Sequence, residues 1–228
     1  MTAHPHVKCA AAPSCIVVPQ TGLLHIQNRN EPAWIKTRGR RKYTILISAM
    51  YIRRRITALA REIILDARKN NRHEIHFLIV LKGAVFFGCR LAQEIFTAGG
   101  PDIIIHFISA YSYGKAMRSS GRCRITGKLD MLRGKNVIVI EDICDTGLTL
   151  SAIRQRLLKK EHAASVKACV LLDKPGNRLV RLKKTTLADF VGFQIPNVFV
   201  AGFGLEDIDR HRELPFIVAV QKRLMEEI

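Results

Sequence analysis

Val137-Ile138-Val139-Ile140-Glu141-Asp142-Ile143-Cys144-Asp145-Thr146-Gly147-Leu148-Thr149-Leu150 is the stretch whose reading decides the fold. A run of apolar β-formers meets a pair of carboxylates, and an Asp-Thr-Gly-x-Thr turn then opens a helical pattern. Such a turn aims consecutive backbone N–H groups and hydroxyls at one point beside a helix N-terminus, which is an anion site. Adjacent carboxylates at a strand end suit sugar hydroxyls or a hydrated Mg²⁺, an ion that takes a few carboxylates and leaves its other positions to substrate oxygens. The turn therefore offers a phosphate cradle in Thr146, Gly147, Leu148 and Thr149, and a diol or metal clamp in Glu141 and Asp142. A third carboxylate, Asp145, lies close to both.

Outward from that stretch, strands alternate with helical patterns. Ser48 is placed to cap a helix whose apolar stripe is Ile52, Ile56, Leu59, Ile63 and Ile64, with Arg53 to Arg55 and Arg61 largely on the other side. Ile75 to Leu81 reads as a buried strand, Val85 to Phe96 as a helix and Asp102 to Ser109 as a strand. After a Gly/Ser/Arg-rich segment, Ser112 to Gly127, come a strand to Ile140, a helix from Thr149 to Lys160 and a strand from Val166 to Leu172. Ala188 to Phe193 and Asn197 to Phe203 read as two further short strands. This alternation predicts βαβ units and an α/β fold on a mainly parallel twisted sheet, with ligands at the carboxyl ends of the strands.

Composition sets the class. The 228 residues are 48% hydrophobic and 25% charged, enough to bury a core. Apolar runs stop far short of the roughly 20 residues that span a bilayer, so no membrane partner is expected. Six scattered cysteines form no C-x-x-C pair, which disfavours zinc and favours a reducing compartment. The net charge of +18 calls for phosphate-bearing partners, and half of it falls within residues 1–60, where Glu31 is the lone acid. Arg38, Arg40, Arg41 and Lys42 are read as a solvated arm. Met1 to Val18 lacks the plan of a secretory signal, so a cytoplasmic location is expected; organelle targeting by the Arg-bearing stretch Gln27 to Lys42 stays open.

The Val137–Leu150 stretch resembles the ribose-phosphate signature of the purine phosphoribosyltransferases, specifically their hypoxanthine-guanine branch, and the resemblance runs from about Ile45 to Val220. It implies transfer of a 5-phosphoribosyl group from phosphoribosyl pyrophosphate to N9 of a 6-oxopurine, with Mg²⁺ as cofactor. It also implies the type I phosphoribosyltransferase fold, in which N- and C-terminal segments form a small hood. Leu81-Lys82-Gly83-Ala84 matches the pyrophosphate loop, with Lys82 as a point charge and Gly83 admitting the anion to the backbone; in relatives the peptide before this lysine can be strained or cis. Ser112-Tyr113-Gly114 and Arg118 to Gly121 resemble the lid that closes over the reacting centre.

Lys174 falls where the family donates to the purine 6-oxo group, and Arg178 matches a family arginine. Phe199 falls where a ring stacks on the base, and Val200 where the backbone meets its edge. Gly204 to Leu214 resembles the segment holding a second metal and the pyrophosphate, with Leu205 beside the purine and Arg212 as the phosphate-binding arginine. Glu206 stands where the commonest pattern has Asp; trypanosomatid xanthine-accepting relatives carry Glu there, which implies that xanthine is accepted. Asp145 is the candidate general base toward purine N7, and Glu141, Asp142 and Glu206 are the metal candidates.

Residues 1–43 are expected to form a basic extension and residues 44–228 the phosphoribosyltransferase domain, assembling as a homodimer or homotetramer. Nucleic acid is not the expected partner. Two rivals stand beside this reading: a phosphoribosyl pyrophosphate-sensing RNA-binding regulator of the same fold, and a transferase for another nucleobase. Neither needs the Lys174/Phe199 pair.

Overall fold

The alternation read from the sequence resolves, in a computed structural model describing residues 16–17, 41–112, 123–179, 182 and 187–222, into a chain of strands and helices. In order they are β1 (Ile16–Val17), β2 (Arg41–Ile47), α1 (Ala49–Lys69), β3 (Glu74–Leu81), α2 (Val85–Thr97), β4 (Asp102–Ser112), β5 (Cys123–Thr126), β6 (Asn136–Cys144), α3 (Leu148–Lys159), β7 (Ser165–Asp173), β8 (Phe190–Gln194), β9 (Val200–Ala201) and β10 (Ile217–Lys222). The main sheet has the order β1-β8-β7-β6-β3-β4-β5 and is parallel except where β5 returns antiparallel along β4. A second, antiparallel sheet of order β2-β10-β9 brings residues 41–47 together with 217–222 and supplies the expected hood.

Side chains alternate across the pleat, so each central strand feeds two cores. Ile75, Phe77, Ile79, Ile138 and Ile140 face α1 and α2, whereas Leu78, Val80, Val137 and Val139 face Leu150, Ile153 and Leu157 of α3. Ala201, Phe216, Val218 and Val220 close a third, smaller core in the hood. The four cysteines among the described residues are free.

Several expectations are corrected. Arg55 does not lie on the solvent side of α1: it is 4% exposed, and its guanidinium donates to the carbonyls of Val191 (2.8 Å) and Gly192 (3.0 Å) and to Glu62 (2.8 Å). Ser48 precedes α1 in extended conformation but makes no side-chain cap bond, and its hydroxyl is buried without a partner. β6 continues past Ile140 to Cys144, because β7 keeps pairing with it to the rung Cys144↔Asp173; Glu141 and Asp142 thus lie within the strand rather than after it. The expected strand Asn197–Phe203 is reduced to Val200–Ala201, and the glycine-rich segment ends in β5.

At the front of the chain, the backbones of Arg41 and Lys42 pair with Lys222 and Gln221, so the arm becomes strand there and the boundary expected after residue 43 falls inside β2. Ile16–Val17 extends the main sheet beside β8. The remainder of residues 1–40, and Tyr113 to Gly121 of the lid, lie outside the described residues.

Candidate active site

The carboxyl ends of β3, β6 and β7 open onto a cleft of about 370 Å³ that is walled on the far side by the hood. Lys82, Gly83, Glu141, Asp142, Asp145, Lys174, Phe199, Val200, Leu205, Glu206 and Arg212 all line it. Thr146 to Thr149 do not line this cleft: Thr146 and Gly147 form the turn that follows Asp145, and Leu148 and Thr149 open α3. Gly147 has φ 84°, the left-handed region where a side chain is strained, and its carbonyl accepts the N–H of Ser151 at 3.1 Å. Ser112 ends β4.

Burial governs the acidic pair. Glu141 is 7% exposed, and its Oε2 has no hydrogen-bond partner. Desolvation, reinforced by Asp142 and opposed by Arg178, raises its carboxyl well above the usual range. Desolvation likewise pushes the Asp142 carboxyl up to about 6, against the backbone N–H of Ile143, which donates to its Oδ1 at 2.9 Å. A Cβ added to Gly83 would run into the other oxygen of Asp142, so only glycine leaves the loop and the carboxylate room to meet. The Leu81–Lys82 peptide just before it is cis.

Lys174, 6% exposed, directs its ammonium to Asp145 Oδ2 at 3.9 Å; desolvation lowers its pKa and Asp145 partly restores it. Arg178 donates to the carbonyls of Cys144 (2.7 Å) and Asp145 (2.5 Å) and to the buried carboxylate of Asp173. Desolvation raises Asp173, with Arg178 opposing. Across the cleft, Arg212 donates to the Gly204 carbonyl at 2.7 Å and to Glu206 Oε2 at 2.6 Å. Gly204 (φ 101°) backs onto the carbonyl of Gly83 so tightly that a Cβ there would strike it, which ties the hood segment to the lysine loop.

A phosphoribosyl transferase domain matches residues 46–208. The chain belongs to the phosphoribosyltransferase family, in its hypoxanthine-guanine branch. It is 36% identical over 182 residues to the hypoxanthine-guanine phosphoribosyltransferase of Aquifex aeolicus, covering 79% of this chain and 96% of that one. With the same enzyme of Mycobacterium avium it shares 36% over 188 residues, 81% and 88% of the two chains. A solved structure of Trypanosoma cruzi hypoxanthine phosphoribosyl transferase superposes with a TM-score of 0.70 at 34% identity, over 78% of this chain and 91% of that one.

For a member of this family the donor set fits Mg²⁺. The partnerless Oε2 of Glu141 and the adjacent Asp142 are two carboxylates that burial has made reluctant to ionise alone, and Mg²⁺ needs only one or two beside substrate oxygens. The expected third ligand, Glu206, is instead engaged by Arg212, and among the described residues Glu141, Asp142 and Glu206 do not form a three-ligand cluster. Sequence reading of this phosphoribosyltransferase passed over Asp173 and Asn177. Asp173 closes an apolar strand and Asn177 lies in the turn beyond it, both as ordinary polar residues, and the partner that gives each meaning, Arg178 or Asp145, is visible only in three dimensions.

Proposed function

We infer that the protein transfers the 5-phosphoribosyl group of phosphoribosyl pyrophosphate to N9 of hypoxanthine or guanine in purine salvage, releasing pyrophosphate. The carrying observation is the placement of Asp145 and Lys174 side by side at neighbouring strand ends, facing Phe199 and Arg212 across one cleft. In this reading the purine lies against Phe199, which is 51% exposed and open for stacking. Lys174 donates to its 6-oxo oxygen, and Asp145 takes the N7 proton as the N9–C1′ bond forms and the C1′–oxygen bond to pyrophosphate breaks. Lys82 and Arg212 receive the charge of the departing pyrophosphate, while the Thr146–Thr149 turn holds the 5′-phosphate at the start of α3. Glu141 and Asp142 hold the ribose hydroxyls or Mg²⁺; the ion, when bound, neutralises pyrophosphate charge and orders the substrate oxygens. Ser112 and Tyr113 belong to the lid that excludes water from the reacting centre.

Xanthine is a third substrate in this reading, admitted by Glu206 beside the purine 2-position. Expected is a kcat/KM for xanthine within about a hundredfold of that for hypoxanthine, with Glu206→Asp depressing it selectively. Equal loss on every base would remove Glu206 from that role. A second copy of the chain covers apolar residues left exposed on α2 and β4: Phe86, Phe96, Ile105 and Phe107 are 47%, 85%, 39% and 49% exposed. Apart from Ile16–Val17, which pairs with β8, the residues ahead of Arg41 are an extension of the domain, and the protein works in the cytoplasm.

The deciding experiment incubates the purified protein with phosphoribosyl pyrophosphate, Mg²⁺ and, separately, hypoxanthine, guanine, xanthine, orotate and uracil. Nucleotide should form with the 6-oxopurines and not with the pyrimidines. Binding of phosphoribosyl pyrophosphate with no base consumed would favour a regulator instead.

A further inference from the structure

We propose that Asn177 is a positioning residue for the reaction: its side-chain amide orients the carboxylate of Asp145 and links it, through Asn197, to the loop that carries Phe199. The proposal rests on Asp145 being the general base. Asn177 closes the single 3₁₀ turn Pro175–Asn177 that follows β7, its backbone N–H bonded to the Lys174 carbonyl at 3.1 Å. Its Nδ2 donates to Asp145 Oδ1. The other carboxylate oxygen, Oδ2, is the one that faces Lys174 at 3.9 Å and the cleft. The two oxygens of Asp145 are thereby differentiated, one occupied by an amide and one presented to substrate.

The turn bearing Asn177 is anchored independently of its side chain. Arg178 grips the Cys144 and Asp145 carbonyls, and the N–H of Leu179 donates to the Thr146 carbonyl at 3.2 Å. The amide therefore approaches Asp145 from a fixed frame. Orientation matters here because the side chain of Asp145 is 41% exposed, and the terminal torsion of an aspartate is broad and roughly two-fold. A proton acceptor in this position is effective only when held near hydrogen-bond distance of the proton it takes.

Asparagine also has the right pair of functions. While Nδ2 serves Asp145, Oδ1 accepts from Asn197 Nδ2 at 3.5 Å, and Asn197 lies two residues before Phe199. Aspartate at 177 would set two acceptors against each other, and a flipped amide would do the same, so the donor side of the amide is fixed by its neighbour. Closure of the purine between Phe199 and the strand ends then bears on the same chain of amides that holds the base.

The test is a double-mutant cycle on the full-length protein, measuring kcat and KM with saturating Mg²⁺. In the Asp145 background, Asn177→Ala and the near-isosteric Asn177→Leu should each lower kcat about tenfold and leave KM for phosphoribosyl pyrophosphate within about twofold. In the Asp145→Asn background the same changes should leave kcat unaltered, since no carboxylate remains to orient. An equal loss in both backgrounds, or none in the first, overturns the positioning role while leaving Asp145 as base. A near-normal kcat for Asp145→Asn alone overturns the base assignment, and the proposal with it. Asn197→Ala should cost less, about threefold, and nothing further once Asn177 is alanine.

Discussion

An amide in place of the Asp145 carboxylate preserves the shape of the turn and removes its capacity to take a proton. Asp145→Asn is expected to lower kcat by about 10² to 10⁴-fold with KM for phosphoribosyl pyrophosphate nearly unchanged, as steady-state kinetics would show. A near-normal rate would exclude Asp145 from proton transfer. Gly83 tests steric room rather than chemistry. Its added Cβ would collide with Asp142, and its carbonyl already abuts Gly204, so Gly83→Ala should weaken phosphoribosyl pyrophosphate binding by about 1–3 kcal/mol, measured by calorimetry. Unchanged binding would show that the loop has slack. At this scale the sequence was informative about place: Lys82, Asp145, Lys174 and Phe199, picked out by their motifs, all line one cleft. It was silent on Asn177 and misleading on Arg55, because one arginine in a run of three carries no local mark of being the one turned inward.

That inward arginine is a property of the α1–β8 pairing. Its guanidinium satisfies two β8 carbonyls and Glu62 in a buried setting, so removing it leaves backbone acceptors without a donor. Arg55→Ala should cost about 3–5 kcal/mol in denaturant unfolding, with Arg55→Lys restoring only part, since an ammonium cannot reproduce the planar fork. A loss below about 1 kcal/mol would place the pair among ordinary surface contacts.

The β3–β4 pairing carries a different device. His76 Nδ1 lies 2.9 Å from His106 Nε2, and His76 Nε2 lies 2.9 Å from Glu74, which also receives Lys135 at 3.2 Å. Burial, with His76 alongside, holds His106 below the ordinary imidazole range. The unfolded chain therefore takes up this proton near pH 6.5 while the folded chain does not, and stability falls as pH drops through that value. His106→Gln should flatten the fall in Tm between about pH 7 and 5.5; an unaltered slope would assign the acid sensitivity elsewhere. Periodicity located α1, α2, α3 and the central strands because each repeats its pattern over several turns or rungs. It missed β2 and β10, whose pairing joins residues at opposite ends of the chain, and it ended β6 early because two charged residues look like the close of a strand when their burial cannot be seen.

For the whole molecule, a charge of +18 on an enzyme with a polyphosphate substrate acts before contact is made. Raising ionic strength from about 20 to 300 mM should lower kcat/KM for phosphoribosyl pyrophosphate while kcat stays level, because exposed charges more than about 10 Å apart are then screened. Salt-independent kcat/KM would confine the excess charge to other uses. Composition announced this preference for anions, and only the motifs divided it between cleft and extension.

The sheet adds a limit of its own. Asp145 and Lys174 are the next residues after the last paired rung of β6 and β7, and neighbouring strands keep a separation of about 4.8 Å whatever side chains they carry. In the proposed function the gap between Asp145 and Lys174 is thus a ruler cut into the backbone, graduated for a two-ring base that shows both a 6-oxo oxygen and N7 along one edge. Substitution at either residue changes the chemistry at a mark without moving the mark. Variants selected for altered bases should accordingly accumulate changes in the loop 197–206 and leave the ends of the two strands intact.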